Sequence, residues 1–462
     1  MRKGWFIPAS VVALLALAAT CATLGVHGQI AVHQQGYVPF TDAPIRYRDS
    51  DLNDPVARLQ KRLADGSARL EWNDRGGYLQ SVLAQLHIPV SSQTLVFSKT
   101  SFQYKKISPQ SPRALYFNDD VYVGFVKNGR VLEFVSFDPL KGAIFYLLNA
   151  QKSDHPTFER AELDCTQCHI SEATREVPDV FVRSVYPTST GTIANFTATH
   201  VSGQETPLPE RWGGWYVTGT HGSLRHMGNV LVTNPDNPET LNTAAGANLT
   251  SLDGRCDPAA YLSTQSDIVA HLVLDHQAQM HNLITKTGFQ QRIAAWDATH
   301  KDAANPTAQA QAQATWQNSA EELLQYLTFQ NEALLDGITG SSSFAQEFAA
   351  LGPRDHNGRS LRDFDLHSRI FRYPLSYLIY SDEWDALPFT VKLYLYHRLH
   401  QILTGSDTSG KFTRLTASQR QAILEILLET KPELPPEWKQ NKAELAHAST
   451  AIQRWRAAFG TR

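Results

Sequence analysis

The sequence predicts an α+β fold, in which a small antiparallel β meander is followed by an irregular segment and then by a mainly α-helical C-terminal half. Residues 113–149 hold four runs rich in aromatic and β-branched residues, separated by Asn118-Asp119-Asp120, Asn128-Gly129 and Asp138-Pro139-Leu140-Lys141-Gly142. Residues 154–229 lose all periodicity but keep tryptophans, glycines and prolines. From Pro258 onward apolar residues recur at helical spacing.

The chain opens with Arg2 and Lys3, then an apolar run over residues 5–26, which reads as the charged and hydrophobic regions of a secretory signal peptide. A run of this length also has the reach to stay as a membrane anchor. Four segments follow from these shifts in pattern: 1–28 as signal or anchor, 29–153 as N-terminal helices plus meander, 154–257 as a loop-rich segment, and 258–462 as a helical domain.

Within the second segment, residues 55–64 predict a helix capped by Asp54, with Pro55 at its first position and Gly66 as its stop. A second helix is expected over residues 77–86. In the meander, Asn128-Gly129 predicts a two-residue type I′ turn, which needs positive φ at both central positions. Further on, one long helix is expected over residues 260–287 with Gly288 as its C-cap, and residues 303–315 read as an Ala/Gln-rich connector. Helices are also expected over 317–336, 389–404, 416–429 and 439–458, the third of these opening with a Thr416-Ala417-Ser418-Gln419 capping box. The aromatic run 371–380 is expected to be buried.

The chemistry is stated at Cys165-Thr166-Gln167-Cys168-His169. Two thiols separated by two residues and followed at once by histidine form the attachment pattern of a c-type haem: each sulfur adds to a haem vinyl group and the imidazole reaches the iron. The rivals are a thioredoxin-like dithiol, which needs a strand-to-helix context and no fixed histidine, and half of a zinc site, for which only Cys21 and Cys256, far apart, remain among the four cysteines. One covalent haem c is therefore the expected cofactor, with His169 as proximal ligand. Composition adds nothing exotic: apolar residues are 42 %, charged residues 19 %, and 42 Lys plus Arg face 45 Asp plus Glu. A formal net charge of −3 gives no basic patch for nucleic acid.

The group opposite His169 decides between electron transfer and reaction with small molecules. Apart from Met1 the chain has two methionines, each beside histidine, so the candidates are Met280, His276, Met227 and His226. On a helix His276 and Met280 are four apart and share an apolar face with Val269, Leu272, Val273 and Leu283. Arg225 is a candidate cation for a haem propionate.

Through Cys165, Cys168 and His169 the chain resembles the c-type cytochromes, over that motif alone. It does not resemble the small all-α cytochrome c domain. Around Arg211-Trp212-Gly213-Gly214-Trp215-Tyr216 and the helix from His276 to Asn282 it resembles a group of large, exported, single-haem bacterial proteins of unassigned activity. The resemblance implies a periplasmic location or the outer face of the cytoplasmic membrane, because c-type haem is attached outside the cytoplasm. The expected function is electron transfer with a redox partner protein. The alternatives are a haem enzyme of the peroxidase or oxygenase kind, using a small-molecule oxidant at an open or displaceable position, and a haem-based sensor or assembly subunit.

Overall fold

The computed structural model describes residues 38–436 and 438. The expected signal or anchor at 5–26 and the expected helix at 439–458 lie outside these residues. The described chain is an α+β fold, with an antiparallel sheet in the N-terminal half and helices in the C-terminal half.

Helix α1 (Pro55–Ala64) begins where the sequence places it. Asp54 accepts the N–H groups of Val56 and Ala57 at 3.0 and 3.1 Å, and its other oxygen takes the Tyr146 hydroxyl at 2.7 Å, which ties the cap to the sheet. Helix α2 (Leu79–Gln85) follows. The sheet consists of β1 (Thr94–Val96), β2 (Arg113–Phe117), β3 (Val121–Val126), β4 (Val131–Asp138), β5 (Gly142–Asn149) and β6 (Phe158–Arg160). Helix α3 (Glu162–His169) carries the cysteines. Next come β7 (Val182–Ser184) and β8 (His200–Ser202), which pair with each other, and then β9 (Trp215–Tyr216). Strand β9 joins β1, so the seven-stranded sheet has the order β6-β5-β4-β3-β2-β1-β9. Its β3–β4 turn differs from the type I′ expectation. The bond from Gly129 N–H to Val126 carbonyl centres the turn on Lys127-Asn128, and Asn128 alone takes positive φ, at 59°. Asparagine tolerates that region well enough for Gly129 not to be needed there.

Short β10 (Gly219–Thr220) precedes the central element, α4 (Ile268–His300). This helix starts at the Asp267 cap, eight residues later than expected, and runs straight through Gly288. The missing side chain makes room for a distant neighbour: a Cβ on Gly288 would lie 3.3 Å from Leu387 Cδ2. All residues of α4 from Ile268 to Phe289 are buried, the polar ones included. Helix α5 (Pro306–Leu327) packs along it and absorbs the expected connector, because Asn305 caps it, Pro306 suits its first turn, and alanine and glutamine favour helix. It ends at Leu327 rather than 336, where Phe329 turns to a φ of 54°. Strand β11 (Thr339–Gly340) pairs with β10, and α6 (Phe344–Ala350), α7 (Asp382–Asp385), α8 (Phe389–Thr404) and α9 (Ala417–Thr430) complete the fold. The Thr416/Gln419 capping box is present in full, and Phe371, Leu375, Tyr377, Leu378 and Ile379 are buried as expected. No helix among the described residues is long and apolar enough to cross a membrane.

The two faces of the sheet have different fates. Ser136 and Tyr146 lie on the face covered by α1, where Ser136 Oγ accepts the Val56 N–H at 3.2 Å. The register places Leu115, Gly124, Glu133 and Leu147 in one row on the other face, with Tyr122, Val135 and Phe145 in the next. Helix α4 covers one end of this face through Gln277, which donates to the Tyr122 hydroxyl at 2.6 Å. At the other end Leu115, Glu133, Val135 and Leu147 are only half-buried. Helix α3 stands beside that open stretch.

Candidate functional site

Cys165, Cys168 and His169 occupy the last turn of α3, and spacings of three and four put all three on one helix face. Cys165 is half-buried and packs against the core, whereas Cys168 is exposed. Neither is in a disulfide. His169 is held at two points by the backbone of Asp179. Its carbonyl accepts the Asp179 N–H at 3.0 Å, and its Nδ1–H donates to the Asp179 carbonyl at 2.9 Å. That bond selects the tautomer in which Nε2 carries the lone pair, and Nε2 has no hydrogen-bond partner among the described residues. The ring stands against Phe145, with centroids 5.0 Å apart, and Phe181, at 5.8 Å. Burial lowers the His169 imidazole to about 4, so it is neutral and able to ligate at pH 7.

Phe145 points to the half-open sheet face, so His169 stands at the edge of a floor made by Leu115, Val135 and Leu147. Gly124 leaves the middle of this floor flat, since a Cβ there would sit 3.2 Å from Glu133 Oε2. Two cations act on the His169 ring, Arg113 and Arg183. Arg113 pairs with Glu133 at 2.7 Å but leaves its buried Nε unpartnered, and Arg183 lies over the Phe181 ring with Cζ 5.1 Å from the centroid. Asp179, Phe145, Phe181, Arg113 and Arg183 were not singled out in the sequence. The available signal was the alternation Arg113-x-Leu115 and Glu133-x-Val135, which marks a face neither fully wet nor fully buried.

An anchored imidazole with a free Nε2 and two thiols on the same helix face suit a haem held by Cys165, Cys168 and His169, beside a sheet face where Leu115, Val135 and Leu147 are apolar and the Glu133 carboxylate, bonded to Arg113, Ser101 and Gln103, is polar. No group of three or more His, Cys, Asp or Glu side chains among the described residues is placed to hold a bare metal ion.

The residues expected opposite His169 have contacts of their own. Both ring nitrogens of His276 are occupied, by Gln204 Oε1 at 2.7 Å and Ser376 Oγ at 2.8 Å, and its ring is stacked on Phe329 at 4.6 Å. Met280 is fully buried. The face of α4 toward the segment that follows the cysteines is marked by Gln279, which accepts from Arg175 Nε at 3.2 Å, and Asn282, which donates to the Val180 carbonyl at 3.0 Å. Met280 is turned about 100° from the first and about 160° from the second. Met227 accepts the Ser184 hydroxyl at 3.6 Å, and His226 is buried against Trp212 and His221, with centroids at 5.3 and 4.7 Å. Arg225 spends its Nη1 on the carbonyls of Ser223 and Leu224, at 2.8 and 2.7 Å. None of these five contacts His169 by a hydrogen bond or ring contact found among the described residues. Cys256 is half-buried, and burial with Asp257 and Asp253 nearby pushes its thiol up to about 11, so it is unreactive.

The rest of α4 organises a polar interior. His281 bonds Glu383 through Nδ1 and the Asp119 carbonyl through Nε2, and lies flat on Phe137 with centroids 3.7 Å apart. Burial opposes its charge, but Glu383 together with Asp179 and Asp120 more than compensates, and its proton affinity is raised. Asp275 receives Arg211 Nη1 at 3.3 Å and the Trp212 indole N–H at 2.9 Å. Burial raises Asp275 to about 7, even though both partners favour the carboxylate.

No family model, curated protein or solved structure matches this chain.

Proposed function

We propose that this chain is an exported c-type haem protein, with one haem joined through Cys165 and Cys168 and its iron bound by His169 Nε2, and that it acts in electron transfer. The observation that carries the reading is the hold of Asp179 on His169 in the helix turn that also bears Cys165 and Cys168, which leaves Nε2 without a hydrogen bond among the described residues on the same helix face as two thiols. The haem supplies a one-electron redox centre when bound. The chain's own residues would orient and tune it: Asp179 fixes the imidazole, Phe145 and Phe181 wall it, and Arg183, with Arg113 in its pair with Glu133, would bring positive charge near it. Exposed Cys168 puts one attachment point at the surface, where a redox partner protein has access. The leader pattern over residues 5–26 supports export, to the periplasm or to the outer face of the cytoplasmic membrane.

A second reading is favoured by the commitments of His276, Met280, Met227 and His226 described above. With the imidazoles of His276 and His226 and the sulfur of Met227 in contacts of their own, a haem held by His169 would be open to a small molecule, which supports an enzyme of the peroxidase kind. Visible spectra of the oxidised, dithionite-reduced and carbon-monoxide-treated protein test both. Covalent c-type bands are expected. A reduced spectrum unmoved by carbon monoxide means two protein ligands and electron transfer, and a prompt shift means an open position. Absence of haem bands contradicts both.

A further inference from the structure

The contacts of the site continue inward past Phe181. The Arg183 carbonyl accepts the Trp215 indole N–H at 2.7 Å. Trp215 touches His271 at 5.5 Å between centroids, His271 touches Trp212 at 5.4 Å, and Trp212 touches His226 at 5.3 Å. A line of contacts thus leads from Phe181, the neighbour of His169, across Arg183 to the rings of Trp215 and His271 and on to a fully buried indole. The chemistry at its end is distinctive. Among the described residues the indole N–H groups of Trp72 and Trp215 meet backbone carbonyls and that of Trp384 meets a hydroxyl, whereas Trp212 meets a carboxylate. Buried polar atoms without partners among the described residues also lie here: Asp275 Oδ1 and His271 Nδ1. Such atoms are costly and rare in a packed interior, and two of them beside one indole call for a role beyond packing.

We propose that Trp212 is a redox-active side chain, whose indole ring gives up one electron toward the His169 site while its Nε1 proton passes to Asp275 Oδ2. The inference rests on the haem reading in its oxidant-reactive form. The co-reactant is a hydroperoxide: breaking its O–O bond takes two electrons and two solvent protons and yields an alcohol, or water, plus water. A haem held by Cys165, Cys168 and His169 would supply one of these electrons, and Trp212 supplies the other. An indole alone in an apolar core holds the resulting positive charge poorly, whereas one bonded to a carboxylate sheds its proton along a bond already made, over 2.9 Å. Asp275, with an affinity near neutrality, can receive it. Trp215 can pass an electron but not keep the hole, because the Arg183 carbonyl takes no proton.

The test adds hydrogen peroxide to the haem-loaded full-length protein, freezes it within seconds and records electron paramagnetic resonance. A protein radical is expected whose hyperfine structure collapses in protein grown with ring-deuterated tryptophan. Trp212→Phe should lose it, and Trp296→Phe, whose ring stacks on His300 far along α4, should keep it. Asp275→Asn retains a hydrogen-bond acceptor but no proton acceptor and should lose most of the signal while keeping the wild-type haem spectrum and circular dichroism. A parallel arm generates the oxidant photochemically with tris(bipyridine)ruthenium and persulfate, which needs no haem. A Trp212 radical in that arm from a protein that carries no haem would remove the haem reading and leave Trp212 as redox-active. Haem present with no tryptophan radical in either arm, or a radical unchanged in Trp212→Phe, overturns the proposal itself.

Discussion

Asp275→Ala is expected to lower the unfolding free energy by about 3–5 kcal/mol, the cost of removing one partner from a fully buried ion pair. Arg211 and Asp275 are 1 % and 0 % exposed, so the guanidinium left behind is shut off from bulk solvent. The guanidinium keeps only the carbonyls of Thr206 and Gln204, at 2.6 and 2.8 Å, which satisfy its N–H groups without neutralising its charge. The Trp212 N–H loses its acceptor at the same time. These losses share one carboxylate, so they are counted together rather than added. An exposed pair serves as the contrast: Lys127→Ala breaks the contact with Asp257 at 3.2 Å, where both partners are well exposed, and should cost about 0–1 kcal/mol. Urea unfolding with an unchanged m-value measures both. An Asp275→Ala loss no larger than that of Lys127→Ala would show that water or a shifted side chain compensates the guanidinium.

The second large effect depends on pH. Burial lowers His276 to about 3, against an unfolded value of about 6.5. Between these values the unfolded chain binds a proton that the folded one does not, so the neutral imidazole contributes stability above about pH 6.5 and loses it progressively as pH falls toward 3. His276→Gln removes this loss. At pH 7 the variant should be the less stable protein, because the imidazole between Gln204 and Ser376 and its stack on Phe329 are gone. Below about pH 6.5 the gap should close by about 1.4 kcal/mol per pH unit. Comparing urea midpoints from pH 7 to pH 4.5 tests this, and parallel curves would mean that His276 titrates alike in both states.

Much of the sheet was legible because its cause is local. Alternation and turn residues place β2 to β5 within a residue or two of where they form, and the Asp54 and Thr416 caps need only their own next few residues. What was misread depends on partners remote in sequence. Gly288 looks like a stop, yet Leu387 fills the space beside it and the helix continues. The Ala/Gln stretch looks like a linker because nothing in it says that Trp316, Leu323 and Leu324 beyond it will anchor the helix to the core.

The site divides in the same way. The three motif residues are explicit in the chain, but the hold on His169 comes from the backbone of Asp179, which leaves no side-chain signature. His276 and Met280 do share a buried stripe of α4, as their spacing indicates, and the spacing alone could not show that Gln204 and Ser376 occupy the imidazole. The arginines beside His169 belong to β2 and β7, brought together only when the meander and the later hairpin have formed.

The most direct measurement is the intact mass of the full-length protein, made in cells equipped for c-type haem attachment, then denatured and alkylated. The account predicts a mass raised by one haem, with Cys165 and Cys168 protected from the alkylating reagent and Cys256 modified. A mass without haem, with Cys165 and Cys168 both alkylated, would contradict it.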